Sequence, residues 1–248
     1  MSRRGIVVEL LVPVVLVVLI LGGYVWWRET ANLNPTELRQ LDWATIRGEA
    51  WEHIKLTVVS SVLVVLIAVP LGVVLTRRGM TWLSPIAVGI ANIGQSAPSI
   101  GLIVLFYIWL NVHPFWTGFR VTVLTLTLYG ILPVLRNTIT GLRGVDRTLV
   151  EAARGLGMSA PARLLRVELP LALPVIMAGV RTTLILVVGT ATLATFIDGG
   201  GLGDTINSGI QLYQFSVMVA GAVLVVALAL VVEWVGRVLE LVIRPRGV

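Results

Sequence analysis

LVEAARGLGMSAPARLLRVELPLALP, residues Leu149–Pro174, lies between two strongly apolar segments, yet it carries Glu151, Arg154, Arg163, Arg166 and Glu168. Arg147 stands just before it. Its periodicity is helical, with an interruption at Gly155-Leu156-Gly157. Asp146 suits the N-cap of a first helix that carries Leu149, Val150, Ala152 and Ala153. Gly155 and Gly157 can end that helix, because glycine tolerates the left-handed conformation required at a helix C-terminus. Ser159 suits the cap of a second helix, with Pro161 in its first turn. The second helix is expected to run to about Glu168, ahead of Pro170 and Pro174. The alanines at 152, 153, 160 and 162 would let two short, angled helices approach closely. A loop that merely connects two membrane spans needs none of this, whereas a unit that fits a groove on another protein does.

The flanking chain sets the class. Of 248 residues, 56% are hydrophobic and 13% charged, against about 25% charged in ordinary soluble domains. Ile6–Trp27, Leu56–Thr76, Trp82–Leu110, Val121–Val134, Leu171–Phe196 and Phe215–Val235 mostly approach or exceed the roughly 20 residues needed to cross a bilayer. Val121–Val134 reaches that length if Arg136 sits at the membrane surface. These runs predict an all-α polytopic membrane protein. With no cysteine, disulfides and thiolate metal sites are excluded. The net charge of +6 comes from arginines clustered at the ends of the apolar runs, a topological pattern rather than a nucleic-acid surface.

Trp82–Leu110 reads either as one long kinked span or as two short ones, with Asn92, Gln95, Ser96, Pro98 and Ser99 near its middle. Two spans of roughly 13 residues would each be too short. A single span makes six in total and gathers Arg3, Arg4, Arg77, Arg78, Arg136, the arginines of the charged loop, Arg237, Arg244 and Arg246 on one side. The positive-inside rule then makes that side, with both termini, cytoplasmic. Ile6–Trp27 exceeds the usual 7–15 apolar residues of a signal peptide and lacks an A-x-A site, which favours an uncleaved anchor. Arg28–Lys55 is polar, with a short external helix expected near Asn34–Glu37. The small residues of Gly189–Thr195 suit close helix packing.

Glu151-Ala152-Ala153, then Gly157, then Val167-Glu168-Leu169-Pro170 resembles the EAA loop of ABC importer permeases. Every spacing agrees, and Val167 stands where that pattern has isoleucine. NIGQSAPSIGLIVL (Asn92–Leu105), LPVLRNTITGLRGVD (Leu132–Asp146), LPLALPVIMAGVRT (Leu169–Thr182) and GTATLATFIDGGGLGD (Gly189–Asp204) look like the permeases for glycine betaine, carnitine, choline and related osmoprotectants. The resemblance implies a type I importer core of five transmembrane helices, preceded here by one N-terminal span. It divides the chain into an anchor and external segment (1–55), a permease core (56–236) with a coupling loop at 146–170, and a cytoplasmic tail (237–248). It assigns Glu151, Ala152, Ala153, Gly157, Val167, Leu169 and Pro170 to coupling with a separate ABC ATPase. It also implies an external solute-binding protein and a second permease subunit, identical or paralogous, in a bacterial cytoplasmic membrane.

Other motifs weigh less. Gly89–Ser96 nearly spells a phosphate-binding loop, but Gln95 replaces the lysine that such a loop needs. No cofactor is therefore expected on this chain, and ATP would act through the partner ATPase. Asn92, Gln95, Ser96 and Pro98 are candidates for the translocation path, since polar groups at membrane depth face the interior or a cavity; interhelical hydrogen bonding explains them equally. Asp198, Gly200, Gly201 and Asp204 form an external glycine-rich turn that either meets a binding protein or packs. Arg181 is expected to snorkel to the interface. His53 and His113 stand apart from any ligand cluster, and the aromatic residues Tyr107, Trp109 and Trp116 suit an interfacial belt. A methionine-type importer shares the EAA loop and a similar glycine turn. A secondary transporter would show inverted repeats and intramembrane charges, and a membrane enzyme a set of catalytic residues at one depth.

Overall fold

The structure, a computed structural model, describes residues 3–243, with side chains from residue 10 onward. The side chains of Arg3, Arg4 and Glu9, and the tail arginines Arg244 and Arg246, lie outside the described residues. Eleven α-helices account for almost all of the rest, with no strand among the described residues. Long apolar helices are the expected solution, because a backbone crossing lipid must satisfy its hydrogen bonds internally.

Helix α1 (Arg3–Thr30) is the N-terminal span. Helix α2 (Pro35–Gln40) is the predicted short helix, closed by a capping box between Asn34 and Glu37. Helix α3 (Trp43–Leu75) is longer than its apolar run suggested. Asp42 caps it through Ala44 N at 2.9 Å, so the polar stretch Trp43–Lys55 is the first part of this helix. At 33 residues, α3 is about 50 Å long. Helices α6 (Gly118–Arg143), α9 (Leu169–Ala191) and α11 (Phe215–Ile243) complete the long set. Helices α6 and α11 run beyond their sequence-based bounds, whereas α9 ends at Ala191, where a 3-10 turn takes over the rest of its apolar run.

The ambiguous segment is one bent unit, broken far more sharply than a kink. Helices α4 (Leu83–Ser96) and α5 (Ser99–Leu110) meet at 93°. Ala97 and Pro98 are both extended (ψ 145° and 120°), as expected for a residue preceding proline and for a ring without an N–H to continue the ladder. The pair follows α6 from end to end. At one end Arg143 Nη2 donates to Ser84 Oγ at 2.8 Å. At the break, Gln95 Nε2 donates to Tyr129 O at 3.2 Å and Tyr129 Oη donates to Ala97 O at 3.1 Å. At the other end Ile103 is buried with Val121 and Ile197. Counted as one broken span, the pair joins five long apolar helices to give the six crossings expected.

Helix α6 is the central element, packed on α3, α4, α5 and α9. Val64 and Ala68 of α3 pack with Val134, Leu135 and Ile139, and Leu142 packs with Ala172 and Ile176 of α9. The α6–α9 pair approaches so closely that a Cβ at Gly179 would lie 2.8 Å from Pro133 O. The stretch Gly189–Thr195 does this only in part: Ala191 and Ala194 are buried, but Gly189 faces open space. Trp234 Nε1 of α11 donates to Leu10 O of α1 at 3.1 Å, which ties the N-terminal span to the bundle. Arg181 of α9 does not simply snorkel, since its Nε lies 3.2 Å from Glu240 Oε2 of α11 in an ion pair not aligned as a hydrogen bond.

Candidate functional site

The charged loop folds at the arginine-rich end of the bundle. Asp146 Oδ1 accepts from Thr148 N at 2.8 Å and caps α7 (Arg147–Gly155). That backbone hydrogen bond holds the Asp146 carboxyl below its ordinary pKa. Gly157 has φ +80°. Gly157 N donates to Arg154 O at 3.0 Å and Met158 N to Ala153 O at 3.1 Å, the paired bonds of a Schellman motif with glycine at the left-handed position. Glycine is needed here for its backbone, since a Cβ would meet nothing within 4 Å. Helix α8 (Ala160–Arg163) follows, capped by Ser159 through Ala162 N at 3.4 Å.

The second helix does not stop at Glu168. Leu164–Glu168 forms a π-helical turn that runs directly into α9, with Leu169 N bonded to Leu164 O. A wider turn receives Pro170, which supplies no N–H and crowds the carbonyl four residues back. The result is one continuous rod from Ala160 through the membrane, hinged at Gly157 to α7.

Among the loop residues, Glu151 and Ala152 are exposed and Ala153 is buried. Leu149, Leu156 and Leu165 are also exposed, Leu156 to 81%. Val167 is half-buried, and Leu169 packs with Leu142, Ala172 and Ile176. The loop thus presents a face of mixed charge and exposed leucines and anchors its end in the core. Beneath it lies a cleft of about 820 Å³ between the ends of α3 and α6 and the loop. Arg77, Arg78, Arg143, Arg147, Arg154 and Arg163 line it, against Glu151 and Glu168.

Glu168 was legible only as one charge among several. It is buried, with its side chain 9% exposed, and takes Arg77 Nη2 at 2.7 Å and Arg163 Nε at 3.4 Å. No spacing rule connects residue 168 with Arg77, because tertiary packing alone brings them together.

The four path candidates gather around the α4–α5 break. Asn92, Ser96 and Pro98 are exposed, and Ser96 Oγ donates to Asn92 O at 2.8 Å. Gln95 is half-buried and spends its amide on Tyr129 O. The near phosphate-loop stretch Gly89–Ser96 lies wholly within α4.

On the opposite side, Thr192–Ile197 forms a 3-10 turn after α9, and the glycine-rich turn leads into α10 (Gly203–Gln211). Gly200 and Gly201 have φ +80° and +104°. Their conformation lets the turn lie against α3, where Gly201 N donates to Glu52 Oε2 at 3.3 Å. Thr205 donates from both N and Oγ1 to Glu49 Oε2. His53 is fully buried beside it, with Nε2 2.9 Å from Val188 O. Asp198, itself at φ +53°, is exposed. Asp204 is half-buried; burial, then Glu52 and Asp198, raise its pKa, while a hydrogen bond from Thr195 works against them. Glu52, Lys55, Phe119, Asp198 and Asp204 line a cleft of about 440 Å³ here. Glu49-x-x-Glu52 was the one available signal, two carboxylates on one helical face; the packing partner was not.

Comparison with known proteins agrees with this architecture. Residues 68–245 match the family described as binding-protein-dependent transport system inner membrane component. The chain is 46% identical over 199 residues to the choline transport system permease protein OpuBB of Bacillus subtilis (strain 168), covering 80% of this chain and 88% of that one. It is 42% identical to the glycine betaine/carnitine/choline transport system permease protein OpuCB of the same organism, covering 79% and 87%. It is 35% identical to the osmoprotectant import permease protein OsmW of Salmonella typhimurium, covering 80% and 91%. Among solved structures, the MetNI methionine ABC transporter in an inward-facing conformation matches with a TM-score of 0.70 at 27% identity, covering 86% of this chain and all of that one.

Proposed function

The chain belongs to this family of inner membrane components of binding-protein-dependent transport systems, and we propose that it imports glycine betaine, choline or a related quaternary-amine osmoprotectant. It is a multi-pass permease component of an ABC importer with the type I fold. The observation that carries the substrate reading is the identity of 46% and 42% to permeases named for choline and for glycine betaine, carnitine and choline. The methionine transporter shares the fold at 27%, so the relatives favour the osmoprotectant reading over the methionine one.

In this reading the arginine-rich side is cytoplasmic, as positive charge flanking the spans requires. The ATPase subunit grips the outer face of α7 through Glu151, Leu149 and Leu156, and ATP acts only there. Asn92, Ser96 and Pro98 face a second permease subunit across the solute path. The polarity of Asn92 and Ser96 supports this, because exposed hydroxyl and amide groups facing lipid would be costly. A solute-binding protein meets the opposite side around Asp198. Closure of the ATPases pushes α8, and the continuous helix through Leu164–Glu168 turns that push into a movement of α9.

The test is uptake of labelled glycine betaine and choline at high osmolarity in the native host, with and without this gene, after other uptake systems for these solutes are deleted. Loss of uptake on deletion is expected. Unchanged uptake of both solutes refutes the substrate assignment.

A further inference from the structure

Helix α3 touches both ends of the machine. At the glycine-rich turn, Glu49 and Glu52 hold Thr205 and Gly201. At the other end Arg77, one residue past the α3 C-cap Thr76, holds Glu168 at 2.7 Å. Arg77 is itself braced, since its Nε donates to Val73 O at 3.2 Å. A guanidinium fixed to the last turn of α3 cannot follow Glu168 unless α3 follows too. Glu168 has a second grip on Arg163 of α8, inside the loop. The loop is covalently continuous with α9, and it meets the end of α3 in this ion pair, beside an apolar cluster that Val69 and Val73 share with Val145, Leu164 and Leu169.

We infer that Glu168 is a positioning residue that clasps α3 to the coupling loop and makes α3 the strut between the two docking faces. Several features of the contact suit that role. A sheltered carboxylate that loses one guanidinium keeps its charge in a poor environment, so the pair resists separation. The planar guanidinium also fixes direction as well as distance. Apolar contacts, by contrast, slide. A helix of 33 residues gripped at both ends transmits displacement along its axis, so occupancy of one face is felt at the other. Glu168 stands at the π-helical turn, where the loop joins its rod, and there it can bias both α3 and α9.

This inference rests on the reading of the chain as an ATP-driven permease. The test uses the complete transporter in proteoliposomes, with ATPase subunit and solute-binding protein. It measures basal ATPase, stimulation by liganded binding protein, and uptake. Glu168→Gln and Arg77→Gln should each lower stimulation and uptake by about tenfold, the scale of coupling lost along such a connection. Basal ATPase should stay within about twofold. Arg77→Lys, which keeps the charge, should recover a large part of the stimulation. Full stimulation in either glutamine variant overturns the clasp. So does a parallel loss of basal and stimulated rates that Arg77→Lys leaves uncorrected, because that marks a structural role alone. A wild-type transporter without ATP-dependent uptake would instead overturn the permease reading, and the clasp with it.

Discussion

Gly157 offers the cleanest perturbation of the coupling loop. Its φ of +80° is imposed by the two bonds that close α7, Gly157 N to Arg154 O and Met158 N to Ala153 O. A Cβ there would meet nothing within 4 Å, so Gly157→Ala adds no clash and tests backbone conformation alone. An L-residue in the left-handed region costs about 1–2 kcal/mol. That strain lowers the ratio of native hinge to its alternatives by roughly 5- to 30-fold. Asparagine tolerates this conformation better, so Gly157→Asn should lose less. Gly157→Trp adds bulk on the exposed face of the hinge and should abolish uptake. The assay is ATP-dependent uptake into proteoliposomes that enclose ATP, normalised to permease in the membrane by quantitative immunoblot. The expected order of uptake is wild type, Asn, Ala, Trp, at equal membrane amounts. Full activity in Gly157→Ala, or Asn falling below Ala, would refute the argument from φ.

Other perturbations probe the remaining parts. Glu151→Lys reverses the exposed charge on α7 and should lower co-purification of the ATPase subunit by about tenfold, with the permease still in the membrane. Tyr129→Phe removes the hydrogen bond to Ala97 O that holds the α4–α5 break and should cost about 1 kcal/mol, read by denaturant unfolding in detergent; an unchanged midpoint argues that the break holds itself. Asp198→Asn, at an exposed site, should weaken stimulation by the binding protein, read as ATPase rate against binding-protein concentration. Asp204 behaves differently. Its carboxyl is raised by burial, so its protonated form is favoured in the fold. That contribution is complete below the ordinary aspartate pKa and is lost as pH rises through the raised value. Thermal melts of wild type should therefore weaken as pH rises through that window, and Asp204→Asn should flatten the change; identical pH profiles would sink the assignment.

Local chemistry announced several parts of this protein. Asn34 and Glu37, Asp146, Gly157 and Ser159 act in the structure as caps and turn residues, because their preferences are set by the backbone within a few residues. The number of crossings was legible too, since arginine placement and span length are properties of the chain against a bilayer. Trp82–Leu110 shows where such reading weakens. Its polar centre and Pro98 indicated a kink, but a 93° break depends on Tyr129 and Gln95 holding the two halves against α6. The glycine-rich turn could dock or pack. Its packing against Glu49 and Glu52 came only with the fold, which leaves Asp198 as the exposed part.

The sequence alone determined the class of this protein, its six crossings and the position of its charged loop, because hydropathy, capping and the EAA spacing act over short distances or against the membrane. Tertiary structure alone decided which charged and polar groups meet. Glu168 finds Arg77, Arg181 finds Glu240, and Thr205 finds Glu49, each from a distant part of the chain. Such pairs follow from how long helices cross and at what height their side chains arrive. The packing of α3, α6, α9 and α11 sets those heights, and no local pattern encodes them.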